Sequence, residues 1–348
     1  MAATGEGDDG RRRRQLTVLE PEGLYPDTAL EDAVLGPAVR TIRGAARHSV
    51  AEVPDDLCAL ADGLFMFRHW LPAEQVARFP RLRVVVRMGV GYDRLDRDAL
   101  DARGITVCNV PDYGTTEVAD HALALALSLR RGVVLHHDVQ RTGTPEWRYL
   151  EHPVIQRPST RTFGVLGLGR IGTAAALRAK AFGWRVLFYD PNLPNGTDLA
   201  LGIGRARTIE DLFAASDTLS IHAPLNRSTR GLVTERLLRR MPPGAVVVNT
   251  ARGPILDLDG LAACLRDGHL AGAGLDVLPE EPPPEPPHPL IAAYRAREPW
   301  LLGRLVVTPH SAFHTPEAWE DIRRKSAETM RDVLVEGRRT NVVPPGSE

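Results

Sequence analysis

Residues 163–191 read FGVLGLGRIGTAAALRAKAFGWRVLFYDP. An apolar strand runs into Gly167, Gly169 and Gly172 in the order G-x-G-x-x-G; a helix-forming stretch follows, and a second apolar strand ends at Asp190. The three glycines answer different steric demands. Gly167 permits a tight turn, Gly169 lets backbone approach a pyrophosphate, and Gly172 lets helix and strand pack closely. The helix opens at Arg170 and Ile171, where unpaired N–H groups and the positive end of the helix dipole face the phosphates. Asp190 follows Gly172 by 18 residues, near the offset of the acid that accepts from ribose hydroxyls. A carboxylate there repels a 2′-phosphate, so the stretch predicts a dinucleotide domain that takes NAD in preference to NADP. The competing reading is a packing turn followed by a surface aspartate, and the strand–glycine–helix–strand order argues against it.

The same alternation extends in both directions. Ahead of the motif, LTVLEPEG (16–23), GLFMF (63–67), LRVVVRMG (82–89) and ITVCNVP (105–111) read as short strands, with helical spacing in PAEQVARF (72–79). Behind it, WRVLFYD, DTLSIHAP, AVVVNTA, GAGLDVL and RLVVTPH read as strands separated by helices such as TIEDLFAAS and LDGLAACLRDG. Alternating strands and helices predict parallel sheets, and 348 residues suit two domains. TEVADHALALALSLRR (116–131) predicts a long small-residue helix with Thr116 as its N-cap. The polar stretch 136–160 shows little periodicity and is either a surface loop or an arm toward a partner subunit. A proline cluster opens 279–303 and predicts a loop; TPEAWEDIRRKSAETMRDVLVEG (315–337) predicts one amphipathic helix.

Composition excludes several classes. A net charge of −1, with 43% hydrophobic and 25% charged residues, gives no electrostatic case for nucleic acid or an anionic membrane. No apolar run reaches the roughly 20 residues of a membrane span, and MAATGEGDDGRRRRQ lacks the apolar core of a signal peptide. Residues 1–15 read as a disordered tail, the RRRR run included, and 341–348 as another. Cys58, Cys108 and Cys264 are widely spaced in apolar surroundings. They read as buried inert thiols of a reducing, cytoplasmic compartment, with no metal site.

In doubly wound sheets, ligands bind beyond the carboxyl ends of the strands. There the sequence places Arg252 after AVVVNTA, Asp276 in GAGLDVL, Glu280 and Glu281 just beyond, and His310 after RLVVTP. An arginine, a carboxylate and a histidine beside a nicotinamide suit hydride and proton transfer. Spacing alone does not say which glutamate faces the histidine.

GLGRIGTAAALRAKAFGWRVLFYDP, NTARG, LDVLPEEP and TPHSAF together resemble the D-isomer-specific 2-hydroxyacid dehydrogenases, most closely the C-terminal binding protein branch, from about Gly63 to Gly337. The resemblance implies a flavodoxin-like substrate domain built from both chain ends (16–113 and 314–340), an inserted Rossmann NAD-binding domain (114–313), and a homodimer. It implies that Arg252 binds substrate, that His310 is the acid/base, that Glu281 is the partner of that histidine, and that Asp276 anchors the nicotinamide carboxamide. Pro191, His222, Pro224, Thr250 and Ala251 would line the cofactor. Arg252 would hold the carboxylate and carbonyl of a 2-oxo acid with its planar fork.

MGVGYD (88–93) resembles the glycine loop of the family, where Met88, Gly89, Val90 and Gly91 would grip a carboxylate through backbone N–H groups. Arg87 matches an arginine of the C-terminal binding protein branch, and Arg68 lies on a neighbouring loop with Met66 as an apolar wall. Phe313 stands where that branch has tryptophan. Arg87, with Arg68, predicts a 2-oxo acid carrying a second anionic group (phosphonate, phosphate or carboxylate); the competing reading places Arg87 in a structural ion pair. An NAD(H)-sensing scaffold of the C-terminal binding protein type is the alternative function.

Overall fold

The computed structural model describes residues 14–143 and 147–346. The chain divides into two compact units: 14–113 with 319–346, and 114–318. The second crossing at 318/319 falls inside the helix Pro316–Met330.

In the first unit five parallel strands, β1 (Leu16–Glu20), β2 (Val39–Arg43), β3 (Gly63–Met66), β4 (Val84–Arg87) and β5 (Thr106–Asn109), lie in the order β2-β1-β3-β4-β5. This is the flavodoxin-like order. Leu19, Leu64, Met66, Val85 and Val107 meet Phe79 and Leu100 in one core cluster.

The second unit carries seven: β6 (Thr162–Leu166), β7 (Arg185–Tyr189), β8 (Gly204–Arg205), β9 (Thr218–Ile221), β10 (Ala245–Asn249), β11 (Leu270–Leu275) and β12 (Leu305–Val307). All pairings are parallel, and the order is β12-β11-β10-β9-β6-β7-β8. The first six follow the Rossmann arrangement, with one strand added beyond. Valines 246–248 show why both faces must be covered: Val247 enters one core cluster, while Val246 and Val248 enter the other. Successive side chains point to opposite faces, so an unbroken valine run needs two apolar layers. The helix Thr115–Arg130 supplies part of one layer. A Cβ on Gly274 would stand 3.0 Å from Leu125 Cβ, so the GAG run of β11 lets this helix sit close to the sheet.

Several expectations are corrected. Thr116 is not the N-cap: the helix starts at Thr115 after Gly114, no side chain caps it, and Thr116 Oγ1 donates to Glu117 Oε2. Part of 136–160 is helical, since Val133–Arg141 forms a helix anchored by the single buried residue Leu135, too little to print a period on the sequence. Pro289–Arg295 is a helix inside the stretch read as a loop, started by a proline in its first turn. The last helix ends at Met330 and continues as one wide turn through Val335. The described residues of the two segments read as tails, 14–15 and 341–346, are tied to the first unit. Arg14 pairs with Asp62, Val342 bridges Cys108, and Val343 is buried in the first unit's core. The run Arg11–Arg13 lies outside the described residues. All three cysteines are buried and free; burial pushes the Cys108 thiol up to about 12 and that of Cys264 to about 11, which keeps them inert.

Candidate active site

The glycine turn after β6 is held from three sides. Gly167 has φ 88°, and a Cβ there would lie 2.8 Å from Ala223 N. The turn therefore lies backbone to backbone on the loop after β9, which carries His222 and exposed Pro224. A Cβ on Gly172 would stand 2.1 Å from the Gly167 carbonyl oxygen, which fixes how closely the helix Arg170–Ala181 meets the turn. At Gly169 a Cβ would meet nothing within 4 Å, so open space lies where a pyrophosphate would approach. Arg170 is exposed on the first turn and Ile171 is half-buried.

Asp190, with exposed Pro191 after it, closes the third side. Its Oδ2 accepts from Leu168 N–H at 2.9 Å and its Oδ1 from Asn192 N–H at 2.9 Å. A carboxylate has about four acceptor positions, so two remain for hydroxyl donors. His222 Nε2 lies 2.8 Å from Ser220 Oγ, while its Nδ1 is enclosed with no partner among the described residues. The residue is half-buried, yet the imidazole is packed closely enough to push its pKa down to about 4. Thr250 Oγ1 is likewise enclosed and unpartnered. Orphaned polar atoms just past the ends of β9 and β10, in the sheet whose β6 ends in the open glycine turn, fit a dinucleotide, since such atoms are costly unless a ligand completes them.

Arg252 follows β10 on a turn set by Asn249, which is fully buried. Asn249 Oδ1 accepts from Ala251 N–H at 3.0 Å and its amide donates to the Arg252 carbonyl at 3.0 Å. Arg252 Nη1 donates to the Ala251 carbonyl at 2.8 Å. Gly253 then packs against Leu278 and Pro279, so the NTARG turn abuts the loop that carries Glu281.

His310 Nδ1 lies 2.6 Å from Glu281 Oε2, with the two side chains 31% and 22% exposed. Glu281 Oε1 accepts from Leu278 N–H at 3.0 Å, and Glu280 is exposed. An ionised carboxylate only accepts, so Nδ1 carries the proton and Nε2 is left as the ring nitrogen able to exchange one. His310 adopts φ 52°, an uncommon conformation for a residue with a Cβ. Asp276, 1% exposed, holds that backbone. Its carbonyl accepts from His310 N–H at 2.7 Å, and its carboxylate accepts from Thr308 Oγ1, Ser311 N and Ala312 N. Three donors leave about one acceptor position for a carboxamide. Phe313, half-buried, follows directly and packs against Gly114.

The remaining sequence-named residues belong to the other unit. Arg87 ends β4 and Met66 ends β3. Arg87 Nη1 donates to the Met88 carbonyl at 2.7 Å, and its guanidinium lies over Gly89, where φ is 144° and a Cβ would collide with it. Met88 N–H goes to the Met66 carbonyl and Gly89 N–H to that of Arg87, so Val90 and Gly91 supply the amides with no acceptor among the described residues. Met66 and Met88 are each 1% exposed. Exposed Arg68 and half-buried Arg87 flank one ring, 5.5 and 5.7 Å from the Phe67 centroid.

Residues 123–312 match the family described as "D-isomer specific 2-hydroxyacid dehydrogenase, NAD binding domain". A glyoxylate reductase of Korarchaeum cryptofilum is 36% identical over 277 residues, covering 79% of this chain and 78% of that protein. The chain belongs to the D-isomer specific 2-hydroxyacid dehydrogenase family. Among solved structures, an NADPH-dependent glyoxylate/hydroxypyruvate reductase from Sinorhizobium meliloti, in complex with NADP and malonate, matches with TM-score 0.81 and 29% identity. That match covers 95% of this chain and 98% of the other. The D-lactate dehydrogenase of Aquifex aeolicus, complexed with NAD and lactic acid, matches with TM-score 0.78 and 26% identity over 94% and 98% of the two chains. This 2-hydroxyacid dehydrogenase is therefore an oxidoreductase acting on the CH–OH group of its donors, with an NAD-binding Rossmann-like domain.

Sequence reasoning missed four residues of the dehydrogenase that shape this site: Asn249, Gly253, Thr308 and His121. Asn249 and Gly253 stand inside the quoted NTARG stretch, so an amide and a glycine flanking the arginine were available signals. Thr308 and His121 are 187 positions apart and meet only in the fold, at 3.0 Å. Among the described residues no cluster of three or more His, Cys, Asp or Glu side chains is placed to hold a metal ion.

Proposed function

We propose that this protein is an NADH-preferring 2-oxo acid reductase, working reversibly as a D-2-hydroxyacid dehydrogenase, with Arg252, Glu281 and His310 as its catalytic residues. The observation that carries the reading is the 2.6 Å contact between His310 and Glu281. It orients a histidine whose free nitrogen is available for proton transfer, beside an arginine turn and a glycine turn that end strands of the same sheet. Bound NADH would supply the hydride. Arg252 would clamp carboxylate and carbonyl oxygen and favour the developing alkoxide. His310 Nε2 would donate its proton to that alkoxide in reduction and recover it in oxidation, while Glu281 stabilises the imidazolium. Gly167, Gly169, Arg170, Ile171 and Gly172 would hold the pyrophosphate, and Asp190 the ribose. Pro191, His222, Pro224, Thr250, Ala251 and Asp276 would complete the cofactor site.

The Val90 and Gly91 amides, with Met88, Gly89, Met66 and Phe313, would receive the substrate, and Arg87 with Arg68 would favour a second anionic group on it. Two guanidinia gathered on one aromatic ring support that preference. The Sinorhizobium meliloti reductase was solved with malonate, which shares the two carboxylates of such a substrate and lacks the 2-oxo group. Loss of NADH absorbance with a panel of mono- and dianionic 2-oxo acids, repeated with NADPH, tests the whole reading. Arg87→Ala should lose kcat/KM selectively on the dianions, and an equal loss on both classes would remove this preference. The same assay distinguishes a reductase from an NAD(H)-sensing scaffold of the C-terminal binding protein type, which would bind NADH and leave the panel unreduced.

The proposal extends to a cytoplasmic homodimer. Trp147 and Tyr149, 93% and 79% exposed, offer apolar area to a second copy. Sedimentation velocity of the wild type and of Trp147→Ser checks it: a monomeric wild type removes this part.

A further inference from the structure

Asp276 is buried, and the donors to its carboxylate belong to the strand end and loop that carry His310. Carboxylate oxygens only accept, so the 2.6 Å contact between Thr308 Oγ1 and Asp276 Oδ1 spends the threonine proton. Thr308 Oγ1 can then take part in its 3.0 Å contact with His121 Nε2 only as an acceptor. His121 therefore donates, through an Nε2–H that also lies 3.7 Å from Asp276 Oδ1. The chain of contacts runs from the helix Thr115–Arg130 through one hydroxyl to a carboxylate 1% exposed. It ends on the N–H groups of Ser311 and Ala312, with the Asp276 carbonyl holding His310 N–H. The held residue sits at φ 52°, a conformation that persists only when surrounding bonds over-determine it.

We propose that Thr308 and His121 are positioning residues for His310, acting through Asp276 to hold the imidazole on Glu281. A buried carboxylate that loses a donor pulls on those remaining, and here the remaining donors are the backbone of 310–312. Loss of the hydroxyl or of the imidazole donor lets the loop relax, and the His310–Glu281 contact lengthens. The inference rests on His310 being the acid/base of the proposed reaction. Its structural half is readable without turnover, from the downfield Nδ1 proton resonance that a short histidine–carboxylate hydrogen bond produces in the free protein.

The test compares Thr308→Val, Thr308→Ser, His121→Leu and His121→Gln with wild type, after thermal melts confirm folding. Thr308→Val and His121→Leu should lower kcat at least tenfold, with the NADH dissociation constant (from protein fluorescence quenching) and the substrate KM changed less than threefold. Both should shift or lose the His310 Nδ1 resonance, assigned by its absence in His310→Gln. Thr308→Ser, which keeps the hydroxyl, and His121→Gln, which keeps a donor, should stay within threefold of wild type. The proposal is overturned if folded Thr308→Val and His121→Leu keep both kcat and the resonance. It is equally overturned if the loss lies wholly in NADH affinity, or if Thr308→Ser fails like Thr308→Val. A wild type that reduces no 2-oxo acid would end the functional reading alone, while the resonance would still decide whether Thr308 and His121 hold His310.

Discussion

Gly253 lies so close to Leu278 that a Cβ built on it would stand 1.9 Å from the Leu278 carbonyl carbon. The loops that carry Arg252 and Glu281 are thus spaced by the absence of a side chain. Gly253→Ala must push the Arg252 turn away from the loop that carries Glu281. The contact is with backbone, so no rotamer change relieves it. We expect a stability loss of about 1–3 kcal/mol by urea unfolding and a fall in kcat/KM of about 100-fold, the cost typical of displacing a reacting group by an ångström. A variant with near-normal kcat/KM would show that the spacing of the two loops is irrelevant to catalysis.

Removing the proposed acid/base, His310, should cost more than removing the carboxylate proposed to orient it, Glu281. His310→Gln should lower kcat by about 10²–10⁴-fold, with NADH binding retained. Glu281→Gln keeps an acceptor for Nδ1–H but removes the charge, so its loss should be smaller than that of His310→Gln. The double variant should lose no more than His310→Gln, because the pair acts as one unit. Additive losses in single-turnover measurements would separate the two residues.

Asp190 holds Leu168 N–H and, in the proposed cofactor site, would face the ribose. Asp190→Ser should shift the NADH/NADPH ratio of kcat/KM toward NADPH at least tenfold by removing a charge that repels a 2′-phosphate. It should also weaken both cofactors somewhat by loosening the turn. An unchanged ratio would place the discrimination elsewhere.

Two buried groups give stability opposite pH dependences. Burial raises Glu20 from its ordinary 4.5 to about 7, so its contribution is full below pH 4.5 and is lost as pH rises through 7. Burial lowers His222 from 6.5 to about 4, so its contribution is present above 6.5 and is lost as pH falls through 4. Glu20→Gln deletes the first effect alone. Between pH 5 and 7 the variant should gain about 2 kcal/mol on the wild type, read from urea midpoints at several pH values. Parallel pH profiles would show that Glu20 does not titrate in this window.

The strand ends made much of the site legible. A valine run buried on both faces reads as an interior parallel strand, and whatever follows it stands at the ligand edge; that is how Arg252 and His310 stand out from the chain's other arginines and histidines. The glycine spacing was equally readable, because each glycine answers a local steric demand. Glu280 and Glu281 could not be told apart by spacing, since a proline-rich loop has no period to assign facing. Thr116 has the residue type of a cap, but the helix starts one residue earlier, after Gly114, and no side chain caps it.

By itself the sequence determined the two parallel sheets, the glycine turn after β6 and the charged residues at the strand ends, because periodicity and backbone sterics are local. Only the tertiary structure decided that Glu281 meets His310, that Gly253 presses on Leu278, and that His121 reaches Asp276 through Thr308. Those contacts join residues 25 to 187 positions apart, and their distances follow from how strands and loops pack, which no window along the chain contains.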